Sequence, residues 1–133
     1  MSATTRKSDK RRIDPKDLRE QISGKTVRYR RVSYDDIRKD PEVLALIEGA
    51  DKSLAAIGFT DHGIRHIARV AARSMKICQE LSLSKKDREL AGIASYLHDI
   101  GNSVHRVGHA QSSALIAYNI LTRKGMDPLE VAI

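Results

Sequence analysis

The sequence predicts an all-α fold, and three features of it support this prediction. Residue patterns that start helices recur along the chain, and glycines follow where the helices should stop. Between them, apolar residues repeat with the helical period. Strand-like alternation is weak and confined to residues 26–32. A length of 133 residues suits one domain, so we expect a single bundle of helices.

Positive charge is concentrated at the N-terminus. Residues 1–31 contain eleven Lys and Arg against four Asp and Glu, whereas residues 32–133 contain thirteen of each. The net charge of +7 therefore belongs to the first segment. Its polar composition predicts a disordered basic arm over 1–31, followed by the helical domain over 32–133. We favour a solvated tail, and the alternative is an arm that binds nucleic acid or an anionic surface.

The first helices are marked by strong start signals. Ser33 with Asp36 resembles a capping box. Asp40-Pro41 combines an N-cap residue with proline at the first helical position. The helix that starts there should continue to about Ile57, and Gly58 can then adopt the left-handed conformation that ends helices.

The next two helices should form a hairpin. Thr60 or Asp61 can cap the first of them, which should end near Leu81. Ser84 with Asp87 forms a second capping-box pattern.

We expect the helix that follows to run to about Asp99 and to be ended by Gly101. A further helix should cover about 109–124 and stop at Gly125.

The end of the sequence repeats the helix-start pattern. Asp127-Pro128 begins a helix, yet the sequence stops at Ile133, after little more than one turn. We therefore expect a fragment whose next helix is missing. The apolar face left uncovered would then favour a homo-oligomer or a place within a larger chain.

Localisation signals point to the cytoplasm. The lone cysteine, Cys78, cannot form an internal disulfide, and its apolar neighbours predict a buried thiol. The polar N-terminus does not resemble a signal peptide. No apolar run is long enough to span a bilayer, so we expect no membrane association.

The five histidines are the chemically informative residues. They all fall between positions 62 and 109: His62, His66, His98, His105 and His109. Histidine is a common metal ligand and titrates near neutral pH.

His98-Asp99 ends an otherwise apolar helix, where an ionised aspartate needs a partner. His66 begins the preceding helix, and antiparallel neighbours would bring it close. Two histidines and one carboxylate suit a first-row divalent metal. The alternative is a neutral core histidine with a capping aspartate.

His62 and His66 also share one helix face, as in zincins. Position 63 is glycine rather than the glutamate base that zincins need, so we reject that interpretation. The role of His62 stays open between a substrate contact, support for the ligands and a helix start.

The pattern of His66 followed by Leu-His-Asp-Ile-Gly at 97–101 resembles the HD superfamily of metal-dependent phosphohydrolases. His109, ahead of an apolar helix, matches as well. The stretch from Thr60 to His66 is similar to small stand-alone HD proteins. The resemblance covers about residues 33–133.

The resemblance implies an all-α HD-domain bundle that hydrolyses a small-molecule phosphate ester of nucleotide type. It implies one or two divalent ions (Mn, Fe, Co, Ni or Zn). The metal ligands it implies are His66, His98 and Asp99, with His109 binding a second metal or phosphate. Asn102 stands where many members have lysine and could contact phosphate, and Arg106 could supply the charge. The family's final aspartate ligand has no counterpart in this sequence.

Phosphoryl transfer suits these residue types. A metal activates water and screens phosphate charge. Arg106 and His109 could stabilise the equatorial oxygens of the transition state, and Asp99 could accept the proton of water.

Three alternatives come from other functional classes. One is a di-iron oxidase with an HD-type site, in which His105 and His109 help to hold the second ion. Another is a non-catalytic sensor that binds a nucleotide or a metal. The last is a nucleic-acid-binding protein that uses the basic arm. The substrate and the metal are not specified by the sequence.

Overall fold

A computed structural model of the chain describes residues 28–59 and 63–132. Every regular element in these residues is a helix, which confirms the all-α prediction. Most of the predicted arm, together with Thr60, Asp61 and His62, lies outside the described residues. The helices are α1 (Tyr34–Arg38), α2 (Pro41–Ala56), α3 (Ile64–Glu80), α4 (Lys85–Leu97), a 3-10 helix (Ile100–Ser103), α5 (His109–Arg123) and α6 (Pro128–Val131).

Four helices begin as their sequences predict. Ser33 and Ser84 each form a capping box with the aspartate three residues later. Asp40 accepts hydrogen bonds from two backbone N–H groups of α2, and Asp127 accepts one at the start of α6. These caps satisfy donors that a helix N-terminus leaves without intrahelical partners.

The start of α3 differs from the prediction. The helix begins at Ile64 with Gly63 as its N-cap residue, and no cap side chain binds its backbone. The N-cap residue is therefore Gly63, and the predicted caps Thr60 and Asp61 lie outside the described residues. The carboxylate of Asp51, on α2, lies 3.0 Å from the position that a Cβ on Gly63 would occupy. A side chain at position 63 would displace this negative group from the positive end of α3.

The long helices run up and down. Contacts join the start of α2 to the end of α5, since Lys124 pairs with Asp40 and Arg123 pairs with Glu42 at 2.7 Å. Helices α3 and α4 form an antiparallel hairpin with the most extensive helix contact in the described residues. The 3-10 helix packs between α2 and α5. One end of the bundle therefore gathers the starts of α1, α2, α4 and α6, and we call it the capped end.

The opposite end, which we call the site end, gathers the start of α3, the end of α4 and the start of α5. The apolar core between the two ends is continuous. It includes Val32, Ile37, Val43, Ile47, Ile67, Ala71, Ile93, Tyr96, Leu97, Ile100, Ile120, Leu121 and Met126.

The residues ahead of α1 contact the domain. The backbone N–H of Arg30 donates to the Gly125 carbonyl at 2.7 Å, and Val32 is buried in the core. Cys78 is half-buried rather than fully buried as predicted. Among the described residues, no helix combines the length and apolar composition of a membrane span.

Candidate metal centre

The hairpin of α3 and α4 brings His66 to His98 and Asp99. His66 lies in the first turn of α3, and the His-Asp pair directly follows α4. One potential ligand atom from each of the three side chains lies within 4.8 Å of the other two. The rings of His66 and His98 have their centroids 6.1 Å apart. The structure thus places together the three residues that the sequence suggested as metal ligands.

The end of α4 differs from the prediction in a way that shapes this site. The helix stops at Leu97, with His98 as its C-cap residue, and Gly101 lies inside the following 3-10 helix. Asp99 occupies the junction between the two helices. Its side chain makes no capping hydrogen bond, although aspartate is a preferred N-cap residue. This excludes the alternative in which Asp99 is simply a cap.

The Asp99 carboxylate faces two histidines instead. One oxygen lies 3.1 Å from Nε2 of His98, and the other lies 3.4 Å from Nε2 of His109. Only 8% of Asp99 is exposed, so water cannot freely solvate its charge. His109 therefore joins the cluster on the side of Asp99 away from His98.

Gly101 allows α5 to deliver His109 to this position. A Cβ on Gly101 would lie 2.2 Å from the His109 carbonyl oxygen and 2.5 Å from the Ser113 backbone nitrogen. The Gly101 N–H also donates to the Ser113 hydroxyl at 2.8 Å. Only glycine permits this close approach of the 3-10 helix to the start of α5.

The other nitrogen of each ring faces a backbone carbonyl. Nδ1 of His98 lies 2.7 Å from the Ser95 oxygen, and Nδ1 of His109 lies 3.0 Å from the Arg106 oxygen. Each ring thus lies between two oxygen acceptors. A neutral ring that donates from Nδ1 would direct the lone pair of Nε2 at a carboxylate oxygen. A second proton on the ring, or a cation beside Nε2 and the carboxylate, would remove the repulsion between the lone pair and the carboxylate oxygen. Histidine ligands of metals commonly donate their other ring N–H to a carbonyl oxygen.

The profile of the HD domain family matches residues 63–132, which include every histidine and aspartate of the cluster. The chain belongs to the HD domain family. Members of this superfamily are metal-dependent phosphohydrolases that bind divalent ions, so the chemistry of the cluster agrees with the family assignment.

The similarity to one relative does not define the function more finely, because that relative is itself uncharacterized. The uncharacterized protein MJ1020 of Methanocaldococcus jannaschii is 30% identical over 105 residues, which cover 66% of this chain and 40% of the relative. The match thus spans less than half of that protein. No solved structure matches this chain significantly.

The buried side chain of Asn102 supports the candidate site through hydrogen bonds. It is only 1% exposed, and its amide donates to the Asp99 carbonyl at 3.0 Å. Its side-chain oxygen accepts from Arg106 at 3.3 Å. The prediction that Asn102 contacts phosphate is therefore wrong, because burial and these two partners keep it from a ligand. It links the backbone of Asp99 to the side chain of Arg106 instead.

Arg106 has a second contact that sequence reasoning missed. Its guanidinium carbon lies 5.0 Å from the centroid of the Phe59 ring, a cation–π arrangement. A lone exposed aromatic residue in a polar loop was the available signal, but its arginine partner lies far away in the sequence.

His105 does not join the cluster. Its exposed ring contacts the backbone of Val107, whose N–H lies 3.0 Å from Nδ1. The suggestion that His105 helps to hold a second ion thus finds no support in the geometry. His62 lies outside the described residues.

Proposed function

We propose that this HD domain hydrolyses a phosphate ester of nucleotide type with a divalent metal held by His66, His98 and Asp99. The supporting observation is the convergence of three ligand atoms within 4.8 Å from the start of one helix and the end of the next. Two imidazoles and one carboxylate leave coordination positions open for water and substrate. Mn, Fe, Co, Ni and Zn all accept such ligands.

The arrangement of acceptors fits a cation. The lone pair of a neutral His98 would face an Asp99 oxygen only 3.1 Å away, and a positive ion would remove this repulsion. A bound divalent ion would supply Lewis acidity toward phosphoryl oxygens and would acidify water. Because the second Asp99 oxygen faces His109, that side of the carboxylate offers either a second ion position or a phosphate contact.

The chain's own residues then have distinct roles. Asp99 accepts the proton of the attacking water. His109 and the guanidinium of Arg106 contact the phosphate group on which charge builds up in the transition state. Asn102 and Phe59 hold Arg106 in place, so its charge is oriented before substrate arrives.

A nucleotide suits the surroundings of this cation. Phe59 is 42% exposed and lies beside Arg106. An aromatic ring next to a phosphate-binding cation offers a surface on which a base can stack. This supports a nucleotide over a simple alkyl phosphate.

The test is elemental analysis of the full chain purified without chelator, followed by a panel of phosphate esters with and without nucleobases. We expect a transition metal and a preference for nucleotides. A His98→Ala, Asp99→Ala double variant should lose most of the metal and the hydrolysis. His105→Ala is the matched control, because His105 is exposed and outside the cluster. Retention of more than half of the metal by the double variant would show that the ion lies elsewhere.

A further inference from the structure

One carboxylate near the candidate metal centre differs from the other acidic side chains. Asp51 lies near the end of α2 and is half-buried. Among the described residues, every other aspartate and glutamate accepts a hydrogen bond or forms an ion pair, whereas the Asp51 side chain does neither. A half-buried charge without a partner is unfavourable, so the fold retains Asp51 against a cost.

The Asp51 side chain lies against the start of α3. Its two carboxylate oxygens are 3.0 and 3.3 Å from the point that a Cβ on Gly63 would occupy. The cations adjacent to it in the described structure do not neutralise it. Lys52 pairs with Glu48 at 2.7 Å, and Arg65, in the first turn of α3, forms no ion pair with Asp51.

Gly63 makes room for this carboxylate. Its φ of −75° and ψ of −173° are extended values that any residue adopts, so the backbone does not require glycine there. As the N-cap of α3, the position would also suit a serine, threonine or aspartate that binds the helix backbone. What glycine provides is space for Asp51. An uncapped helix and an unpaired carboxylate thus occur at one place, and local rules broken together are typical of functional sites.

The carboxylate lies on the side of α3 that carries His66. His66 is three residues after Gly63, and side chains with this spacing are neighbours on one face of a helix. The same relation lets a residue in the first turn reach back to the N-cap in a capping box. The ligand atoms within 4.8 Å of one another come from His66, His98 and Asp99 and not from Asp51. Asp51 is therefore placed to act on His66 rather than on the ion.

The other two histidines of the cluster show what an acceptor at this position does. Nδ1 of His98 lies 2.7 Å from the carbonyl oxygen of Ser95, three residues earlier. Nδ1 of His109 lies 3.0 Å from the carbonyl oxygen of Arg106, also three residues earlier. In both rings, the acceptor three residues back leaves Nε2 directed at the cluster.

At His66, the residue three positions earlier is Gly63. The Gly63 carbonyl already accepts the backbone N–H groups of His66 and Ile67, at 3.0 and 3.3 Å. The Asp51 carboxylate lies against this same residue. It offers an acceptor where the carbonyls of Ser95 and Arg106 serve the other two rings.

We propose that Asp51 is a positioning residue of the metal centre. When an ion is bound, its carboxylate accepts a hydrogen bond from the ring N–H of His66 that faces away from the ion. This bond fixes the tautomer and orientation of His66 and makes its imidazole a stronger electron donor to the ion. The proposal rests on the metal ligands of the proposed function but not on the hydrolysis of any ester. Asp51 lies outside residues 63–132, which the family profile matches.

The test measures the affinity of the metal-free full chain for Co²⁺, by titration followed through the visible absorbance of the bound ion. Asp51→Asn removes the charge with little change in shape. Glu48→Gln is the matched control, because it removes an exposed carboxylate from the same helix one turn earlier. Gly63→Ser is an independent variant that places a side chain against Asp51 while offering α3 the cap that it lacks. Thermal midpoints of all metal-free variants are measured in parallel.

We expect Asp51→Asn to bind Co²⁺ about tenfold more weakly than wild type, the effect common to loss of a carboxylate behind a histidine ligand. Glu48→Gln should bind as wild type does. Gly63→Ser should bind more weakly although its thermal midpoint does not fall, a combination that a purely structural role does not produce. In Zn²⁺-loaded protein, the ¹⁵N NMR signal of the His66 ring N–H should shift in Asp51→Asn and stay unchanged in Glu48→Gln.

Equal Co²⁺ affinity of Asp51→Asn and Glu48→Gln would overturn the proposal. If the affinity is unchanged while the thermal midpoint of Asp51→Asn falls, Asp51 only offsets the positive end of α3. Binding that is absent in wild type, or that persists in the His98→Ala, Asp99→Ala variant, contradicts the metal ligands and the role of Asp51 together. Weaker Co²⁺ binding by Asp51→Asn in a protein that hydrolyses no phosphate ester supports the role of Asp51 and contradicts the phosphohydrolase assignment alone.

Discussion

The two ends of the bundle are built in different ways. At the capped end, the helices start with side chains that bind their own backbone, at Ser33, Asp40, Ser84 and Asp127. At the site end, the three N-cap residues are Gly63, Asp99 and Gly108, and none forms a side-chain cap. Asp99 could cap, but its carboxylate faces His98 and His109 instead.

This difference separates the stabilising caps from the candidate site within one small domain. Each side-chain cap at the capped end contributes about 1 kcal/mol to the free energy of unfolding, through residues that are close in the sequence. At the site end, the polar groups are directed into the cluster, and its geometry depends on glycines that let helices approach. Sites that bind ligands commonly keep such locally unfavourable arrangements because the rest of the fold maintains them.

Gly101→Ala should have the largest effect on stability, and it tests the close packing at the site end. The new Cβ would meet two backbone atoms, at 2.2 and 2.5 Å, that cannot move without shifting α5. We expect a loss of about 3 kcal/mol or more in the free energy of unfolding, measured by urea denaturation.

Gly58→Ala is the control for this substitution. Gly58 has a φ of 85° but open space around it, so alanine there should cost only about 1 kcal/mol. Equal losses for the two variants would mean that close packing at Gly101 contributes nothing beyond backbone preference.

Asp40→Ala should have the next largest effect on stability, and it tests the side-chain caps at the capped end. The variant loses the N-cap bonds of α2 and the ion pair with Lys124, which we expect to cost about 2 kcal/mol. Asp40→Asn keeps the cap and loses only the charge, so it should cost less than 1 kcal/mol.

The same pair predicts a pH dependence. The hydrogen bond from Lys124 is the main cause that lowers the pKa of Asp40, and burial opposes it. A lowered pKa in the folded state means that the contribution is present above about pH 4 and is lost as the pH falls through the folded value. The stability difference between wild type and Asp40→Asn should therefore shrink toward zero as the pH is lowered into the acid range. A difference that persists there would show that the charge of Asp40 is not its source.

Deletion of residues 1–25 should have the smallest effect. Their polar and strongly basic composition offers little apolar surface for the core of either end. We expect the thermal midpoint to stay within about 2 °C of the wild-type value in differential scanning calorimetry. A decrease of several degrees would show that this segment packs on the domain.

Much of the capped end could be predicted from sequence alone. The capping boxes at Ser33 and Ser84 and the Asp-Pro starts at Asp40 and Asp127 depend on residues within one helical turn. Such short-range hydrogen bonds are formed by the local chain and change little with tertiary context. The positive φ of Gly58 and Gly125 follows for the same reason.

The sequence by itself determined the all-α class, most helix bounds and the identity of the cluster residues, because helical periodicity and capping patterns are local and because the spacing from His66 to the His-Asp pair resembles that of a known family. Only the tertiary structure decided what those residues contact. It placed α4's end before His98, turned Asp99 toward two histidines, buried Asn102 and set Phe59 under Arg106. The position of His109 beside Asp99 depends on how closely the 3-10 helix packs against α5 at Gly101, a tertiary contact that no pattern within a single helix specifies.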